Sequence, residues 1–166
     1  MAQNALTNCC LINLHDMLLN GTVISGVRID PQRRITTAST VATQIITAVA
    51  SSQYGGCTIT LTHLAPFVRM SYQENYQKGL DYFDNDKEKA KLFAEKETKI
   101  NIKDAVQTFN YQINSMSTTN GQAPFLSVCM YISEDPEYEK ETAMLIQEFL
   151  EQRIQGMKNN KGVYIT

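Results

Sequence analysis

Phe125-Leu126-Ser127-Val128-Cys129-Met130-Tyr131-Ile132, followed closely by Asp135-Pro136 and then by Glu137 to Met157, is the stretch that decides the fold. Its first eight residues form a nearly continuous apolar run rich in β-formers, of the sort buried on both faces in a parallel sheet. Asp135 then supplies an N-cap and Pro136 occupies the favoured first helical position. Beyond it Ile146, Leu150 and Ile154 recur every four residues, with Leu145 and Phe149 beside them, so a long amphipathic helix follows the strand. Lys158 and Lys161 complement the C-terminal end of its dipole, and Val163-Tyr164-Ile165 opens a further strand.

The same alternation extends upstream. Ile102, Val106, Phe109, Ile113 and Met116 are spaced 4, 3, 4, 3, which puts all five on one face of a helix spanning roughly 100–117. Asp84 to Lys99 is dense in Lys and Glu at helical spacings and reads as a solvated helical face. A helix starting near Pro66 runs through Tyr72 and Tyr76 toward Gly79, and Cys57 to Leu61 is a short β-branched strand candidate. Thr37 to Tyr54 lacks Gly and Pro. Its Val41, Ile45 and Val49, padded by Ala38, Ala42, Ala48 and Ala50, predict a helix packed closely on a second helix or on a partner subunit, with Gly55-Gly56 as its C-cap. Thr22 to Ile29 reads as an edge strand or extended loop stopped by Pro31. Thr7 to Leu14 reads as a buried strand running to a turn at Asn20-Gly21. Buried strands separated by long helices make an α/β chain with a partly parallel sheet.

With 166 residues, 43% of them hydrophobic and 19% charged, the composition is that of one globular unit. No window approaches the roughly 18 consecutive apolar residues of a membrane span. Met1-Ala2-Gln3-Asn4 has neither a basic nor an apolar signal region, so the expected compartment is cytoplasmic. A formal charge of −2 gives no electrostatic case for nucleic acid. Cys9, Cys10, Cys57 and Cys129 contain no C-x-x-C spacing, and His15 and His63 complete no zinc pattern, so four free thiols and no metal site are expected. G-x-G-x-x-G, the P-loop, G-x-S-x-G and H-E-x-x-H are all missing from the sequence.

Three features remain as candidates for chemistry. Asn8-Cys9-Cys10 lies in an apolar strand, where a thiol is most often a small buried hydrophobe. Thr118 to Phe125 (TTNGQAPF) places hydroxyls, amides and flexible backbone before a strand; such loops hold phosphate or sugar, though they are more often only turns. Ser51 to Gly56 ends a helix and is more often a C-cap than a site. His15 and Asp16, adjacent in a turn, suit the surface better than catalysis.

Taken in order, several blocks closely resemble the anaerobic (class III) ribonucleoside-triphosphate reductase family. They are Asn8-Cys9-x-Leu11-Ile12-Asn13-Leu14 with Met17-Leu18, Ala42-Thr43-Gln44-Ile45-Ile46, Val49-Ala50-Ser51-Ser52-Gln53-Tyr54-Gly55-Gly56, Leu64-Ala65-Pro66-Phe67-Val68, and Asn114 with Thr119-Asn120-Gly121-Gln122-x-Pro124-Phe125. Arg153-Ile154-x-Gly156 and Lys161-Gly162 fit the same family. The resemblance implies part of a ten-stranded α/β barrel, its first half-barrel, in an oxidoreductase that reduces ribonucleoside triphosphates to deoxyribonucleotides for DNA synthesis. A glycyl radical, installed by a radical-SAM activase, oxidises a finger-loop cysteine, whose thiyl radical removes the ribose 3′ hydrogen; formate commonly supplies the electrons. A second cysteine on a barrel strand takes part in the reduction, and the resemblance places it at Cys9 and not at Cys10. A strand thiol held rigidly and shielded from water suits a radical relay. The resemblance further implies that Asn8, Asn120, Gly121 and Gln122 lie near the substrate. It likens the helices at 37–54 and 102–116 to those that form a homodimer interface and, beside it, a site for dNTP or ATP effectors.

Residues 1–166 contain nothing resembling the family's ATP-cone, finger-loop cysteine, four-cysteine zinc site or glycyl-radical motif. The expectation is therefore a single internal segment of the catalytic domain that holds no cofactor itself and is inactive alone. It is also expected to oligomerise or exchange strands through the edges of an open half-barrel. The alternative is a stand-alone nucleotide-binding or dimerisation module that has lost catalysis. A looser kinship with other glycyl-radical enzymes, such as the formate lyases, fits less well because of the Asn-Gly-Gln-x-Pro-Phe block.

Overall fold

The computed structural model describes residues 9–52, 56–119, 121, 123–158 and 161–165. Three short parallel strands, β1 (Cys10–Leu11), β4 (Cys57–Thr60) and β5 (Leu126–Cys129), form a sheet in the order β1-β4-β5. The connection from β1 to β4 runs through α1 (Leu14–Leu19), a hairpin of β2 (Thr22–Ile24) and β3 (Val27–Ile29), and α2 (Ile35–Ser52). From β4 to β5 the chain passes through a 3₁₀ turn at Leu61–Leu64 and then α3 (Ala65–Tyr82) and α4 (Lys87–Ser115). After β5, two 3₁₀ turns lead into α5 (Glu139–Gln155), and β6 (Met157–Lys158) pairs antiparallel with β7 (Tyr164–Ile165). The α/β class expected from the sequence is what the chain adopts. Among the described residues the sheet stays open and forms no closed barrel, consistent with one part of an α/β barrel.

The register explains which side of this sheet is core. Cys10 pairs with Cys57 and Cys57 with Leu126, while Leu11 pairs with Thr58 and Thr58 with Ser127. Because successive side chains alternate between faces, Cys10, Ile12, Cys57, Ile59, Leu126 and Val128 share one face. All six are buried or half-buried beneath the helices. Leu11, Ser127 and Cys129 share the other face and are exposed.

Helix packing supplies the rest of the core. The Ala38 and Ala42 stripe of α2 is fully buried, and α2 meets α4 through hydrogen bonds as well as apolar contact. Ser39 Oγ donates to the Ala105 carbonyl at 2.8 Å and Thr43 Oγ1 to Gln112 Oε1 at 2.5 Å. The small residues of α2 therefore serve packing within the chain. On α4, Ile102, Val106 and Phe109 are buried as their spacing predicts, and Phe109 meets Phe149 of α5 edge to face, centroids 6.3 Å apart. Helix α3 turns back on itself into α4 through Phe83 to Asp86. Gly79 abuts Ala90 so closely that a Cβ at Gly79 would lie 2.8 Å from the Ala90 Cα. The first amide of α2, Ile35 N–H, donates to the buried Ser71 Oγ of α3 at 2.9 Å.

Four local expectations are corrected. Of the predicted strand at 7–14, the described residues contribute only Cys10–Leu11 to the sheet, and residues 7 and 8 lie outside the described residues. The Asn13 side chain accepts from Asp16 N–H and starts α1, whose Leu14 and Leu18, four apart, are both fully buried. The segment at 22–29, expected as an edge strand or extended loop, is a hairpin, because Ser25 and Gly26 both take positive φ (50° and 81°) and reverse the chain. The charged stretch at 84–99 and the apolar helix at 100–117 are one helix of 29 residues, α4, since neither Gly nor Pro interrupts them. The run at 125–132 is not buried on both faces: β5 is the edge of the sheet, and Phe125, Tyr131 and Ile132 are exposed.

Candidate functional site

The three segments singled out by sequence converge at the N-terminal ends of the strands. Cys10 N–H donates to the Gly56 carbonyl at 3.1 Å, and Cys57 N–H donates to the Phe125 carbonyl at 2.9 Å. The start of β1, the segment after α2 and the loop before β5 are thus joined through backbone groups that side-chain substitution leaves in place. The loop is also pinned to the end of α2. Thr119 N–H donates to Ser51 Oγ at 3.2 Å, Thr119 Oγ1 donates to the Ser51 carbonyl at 3.1 Å, and Thr118 beside it is buried. The Phe125 ring lies over Gly56, where a Cβ would come within 2.6 Å of its Cδ1, so the absence of a side chain at Gly56 admits the ring.

Cys9 immediately precedes β1 and is exposed. Among the described residues no element covers it, whereas the sequence led us to expect a thiol shielded from water. By alternation it continues the open face of Leu11, Ser127 and Cys129, opposite to Cys10. Cys10, by contrast, belongs to the helix-covered face, where its thiol donates to Cys57 Sγ at 3.6 Å. Burial, and then sharing a hydrogen bond with the Cys10 thiol, pushes the Cys57 thiol up to about 12. Gly121, exposed at φ 75°, closes the turn by donating its N–H to the Thr118 carbonyl at 2.8 Å. That amide is therefore engaged inside the turn and does not point at a ligand. Asn8, Asn120 and Gln122 lie outside the described residues, as do Gln53, Tyr54 and Gly55.

The opposite, C-terminal ends of the strands carry a polar cluster that sequence reasoning missed. His15 of α1 and His63 of the turn after β4 lie with ring centroids 6.1 Å apart. Thr60 Oγ1 donates to Glu134, and Thr62 Oγ1 donates to the Tyr131 carbonyl at 3.2 Å. His63 Nδ1 is buried with no hydrogen-bond partner, and burial lowers its basicity, against the pull of Glu134 and with the push of His15. These residues are dispersed over 120 positions of sequence, and the parallel pairing of β1 with β4 and of β4 with β5 gathers them. Among the described residues no three His, Cys, Asp or Glu side chains assemble to hold a metal ion, and no helix is long and apolar enough to cross a membrane.

Residues 1–165 match the family model described as anaerobic ribonucleoside-triphosphate reductase. The chain belongs to that family. It is 36% identical over 157 residues to the anaerobic ribonucleoside-triphosphate reductase of Escherichia coli (strain K12), a match covering 93% of this chain and 21% of that protein. The enzyme of the same name from Enterobacteria phage T4 is 32% identical over 154 residues, covering 91% of this chain and 24% of the phage protein. That of Haemophilus influenzae is 35% identical over 158 residues, 93% of this chain and 21% of the relative. The chain therefore spans between a fifth and a quarter of the reductases it matches.

Proposed function

We propose that this chain supplies the strand thiol and part of the substrate-facing wall of an anaerobic ribonucleoside-triphosphate reductase, an oxidoreductase that forms deoxyribonucleotides for DNA synthesis. Family membership supports the reaction class. The observation that carries the residue assignment is the alternation of the sheet: Cys9 falls on the face the helices leave open, while Cys10 is turned into the core. An open face beside an anchored turn leaves room for a nucleotide between Cys9 and the loop at 118–125.

In this reading Cys9 takes part in the reduction, and Asn8, Asn120, Gly121 and Gln122 contact ribose or phosphate. Gly121 does so through its conformation and open space, since a Cβ there would meet nothing within 4 Å. The glycyl radical and its radical-SAM activase, the zinc site and formate are those the resemblance implies; no residue of this chain is assigned to hold them. The homodimer and its dNTP or ATP effectors would use the face of α2 that α4 leaves free, where Thr37 and Gln44 are exposed. The compartment is cytoplasmic and the chain by itself is inactive.

Two measurements test this. Activase-treated chain is expected to form no deoxyribonucleotide from ribonucleoside triphosphates, and any turnover overturns the claim that it contributes only part of the machinery. Calorimetry with deoxynucleoside triphosphates, alongside light scattering, is expected to find micromolar binding by a dimer. A clean dimer without binding would remove the effector assignment and leave a dimerisation module.

A further inference from the structure

We infer that Cys10 and Cys57 form an oxidisable pair that a peroxide closes into a disulfide, a modification site separate from Cys9. The two residues are direct partners in the parallel register of β1 and β4. Their sulfurs are 3.6 Å apart on the same face of the sheet, and a disulfide requires them to approach to about 2.05 Å. Strand β1 is two residues long at the edge of the sheet, anchored to its neighbour by Cys10 N–H to the Gly56 carbonyl and Ile12 N–H to the Thr58 carbonyl. Rotation of the Cys10 side chain with a small shift of so short a strand closes the gap.

The burial of the two thiols is unequal, which orders the steps. Cys10 is half-buried and Cys57 has no exposed surface, so dissolved peroxide meets Cys10 first. Burial holds the Cys57 thiol at about 12, which makes it a poor first target. The Cys10 sulfur attacks one peroxide oxygen, the O–O bond breaks, and a sulfenic acid forms as the first water leaves. The Cys57 sulfur then attacks the Cys10 sulfur. The S–O bond breaks, the S–S bond forms, and the Cys57 proton departs with the hydroxyl as a second water. Two thiols have lost two electrons and hydrogen peroxide has become two waters. The contact between the sulfurs offsets the small thiolate fraction of Cys57, because the second step is intramolecular and already aligned. Cys9 and Cys129 lie on the opposite side of the sheet and cannot reach Cys57 in the folded chain. The cross-link fastens the edge strand that carries Cys9 to the middle of the sheet.

The test uses the full chain, reduced and then exposed to hydrogen peroxide, digested with trypsin without reductant and read by mass spectrometry. The expected product joins the peptide 1–28 to the peptide 35–69 with loss of two hydrogens. In the C9S/C129S variant, which keeps only Cys10 and Cys57, the thiol count is expected to fall from two to zero. In C10S the link should disappear while Cys57 stays reduced. The inference is overturned if C9S abolishes the link, if the product is a loop between Cys9 and Cys10 within one peptide, or if Cys10 proceeds to sulfinic acid with Cys57 unchanged. Repeating the oxidation in denaturant is expected to scramble the pairing, and an unchanged yield of the link there would also overturn it, since the fold would then have no part in selecting the pair.

Discussion

Thr119 is bound twice to Ser51, its amide donating to the Ser51 hydroxyl at 3.2 Å and its own hydroxyl donating to the Ser51 carbonyl at 3.1 Å. Sixty-eight positions apart in the chain, the two residues tie the loop that precedes β5 to the last turn of α2. Ser51 Oγ in turn donates to the Thr47 carbonyl, so the loop rests on a hydroxyl that the helix has already oriented. Replacing Thr119 by Val removes the second bond and keeps the shape of the side chain. A local loss of about 0.5–1.5 kcal/mol is expected. Hydrogen exchange should quicken at the Thr119 and Gly121 amides while the middle of α2 keeps its protection; unchanged exchange in the loop would show that the pair does not hold it.

Gly79→Ala tests the closest helix approach. Alanine is the better helix former by about 1 kcal/mol, yet its Cβ would sit 2.8 Å from the Ala90 Cα and 3.0 Å from the Ala90 carbonyl oxygen, both rigid backbone. Overpacking of this kind costs about 1–3 kcal/mol, so the steric term wins and the variant is expected to unfold at lower denaturant with an unchanged slope. A gain in stability would mean that α3 and α4 separate freely.

Arg69 joins α3 to the start of α5. Its guanidinium bonds Glu141 through Nε at 2.8 Å and Glu137 through Nη1 at 3.0 Å, and stacks 4.2 Å over the Tyr138 ring. Arg69→Lys keeps the charge and loses the fork, so most of the effect of Arg69→Ala, about 1.5–3 kcal/mol for charge-assisted bonds, should remain in the lysine variant. Burial raises the Glu141 carboxyl, but the Arg69 hydrogen bond, the carboxyl's own backbone amide and the charges of Arg69 and Lys140 together outweigh it, and the net shift is downward from 4.5. A carboxylate depressed in the folded state stabilises above its unfolded value and loses that contribution as pH falls through the folded one. Thermal melts should therefore decline below about pH 4.5, and Glu141→Gln should flatten that decline.

His63 shifts in the same sense by the opposite chemistry. Burial, opposed by Glu134 and aided by His15, keeps its imidazole neutral below the ordinary 6.5, whereas the unfolded chain protonates there. The unfolded state then binds more protons, so stability falls as pH drops below 6.5 and levels off once the folded imidazole also titrates. His63→Gln should remove that slope in melts between neutral pH and the acid decline of Glu141. An identical slope in the variant would assign it elsewhere.

Much of the architecture was legible in local pattern. The 4-3-4-3 spacing from Ile102 marked the face of α4 that is buried, Asp135-Pro136 marked the approach to α5, and the unbroken run from Thr37 marked α2 to within two residues at its start. Reading failed where a short polar group overrode an apolar run, as Asn13 did in starting α1, or where two positive-φ residues folded one extended segment into a hairpin. The candidate site was legible as three separate segments, but their meeting was not. It depends on the amides of Cys10 and Cys57 finding carbonyls 46 and 68 residues away.

The sequence by itself determined the long helices α2 to α5, because periodicity and turn chemistry act over a few residues, and it determined the family through blocks of identity along the chain. Which face of each strand meets water was decided only by the tertiary structure. Two neighbouring cysteines differ by one residue in sequence, yet pairing of β1 with β4 turns Cys10 into the core against Cys57 and leaves Cys9 outside. Register is a long-range property: a shift of one residue exchanges the faces of a strand, and only the helices packed on one side fix which register is lower in free energy.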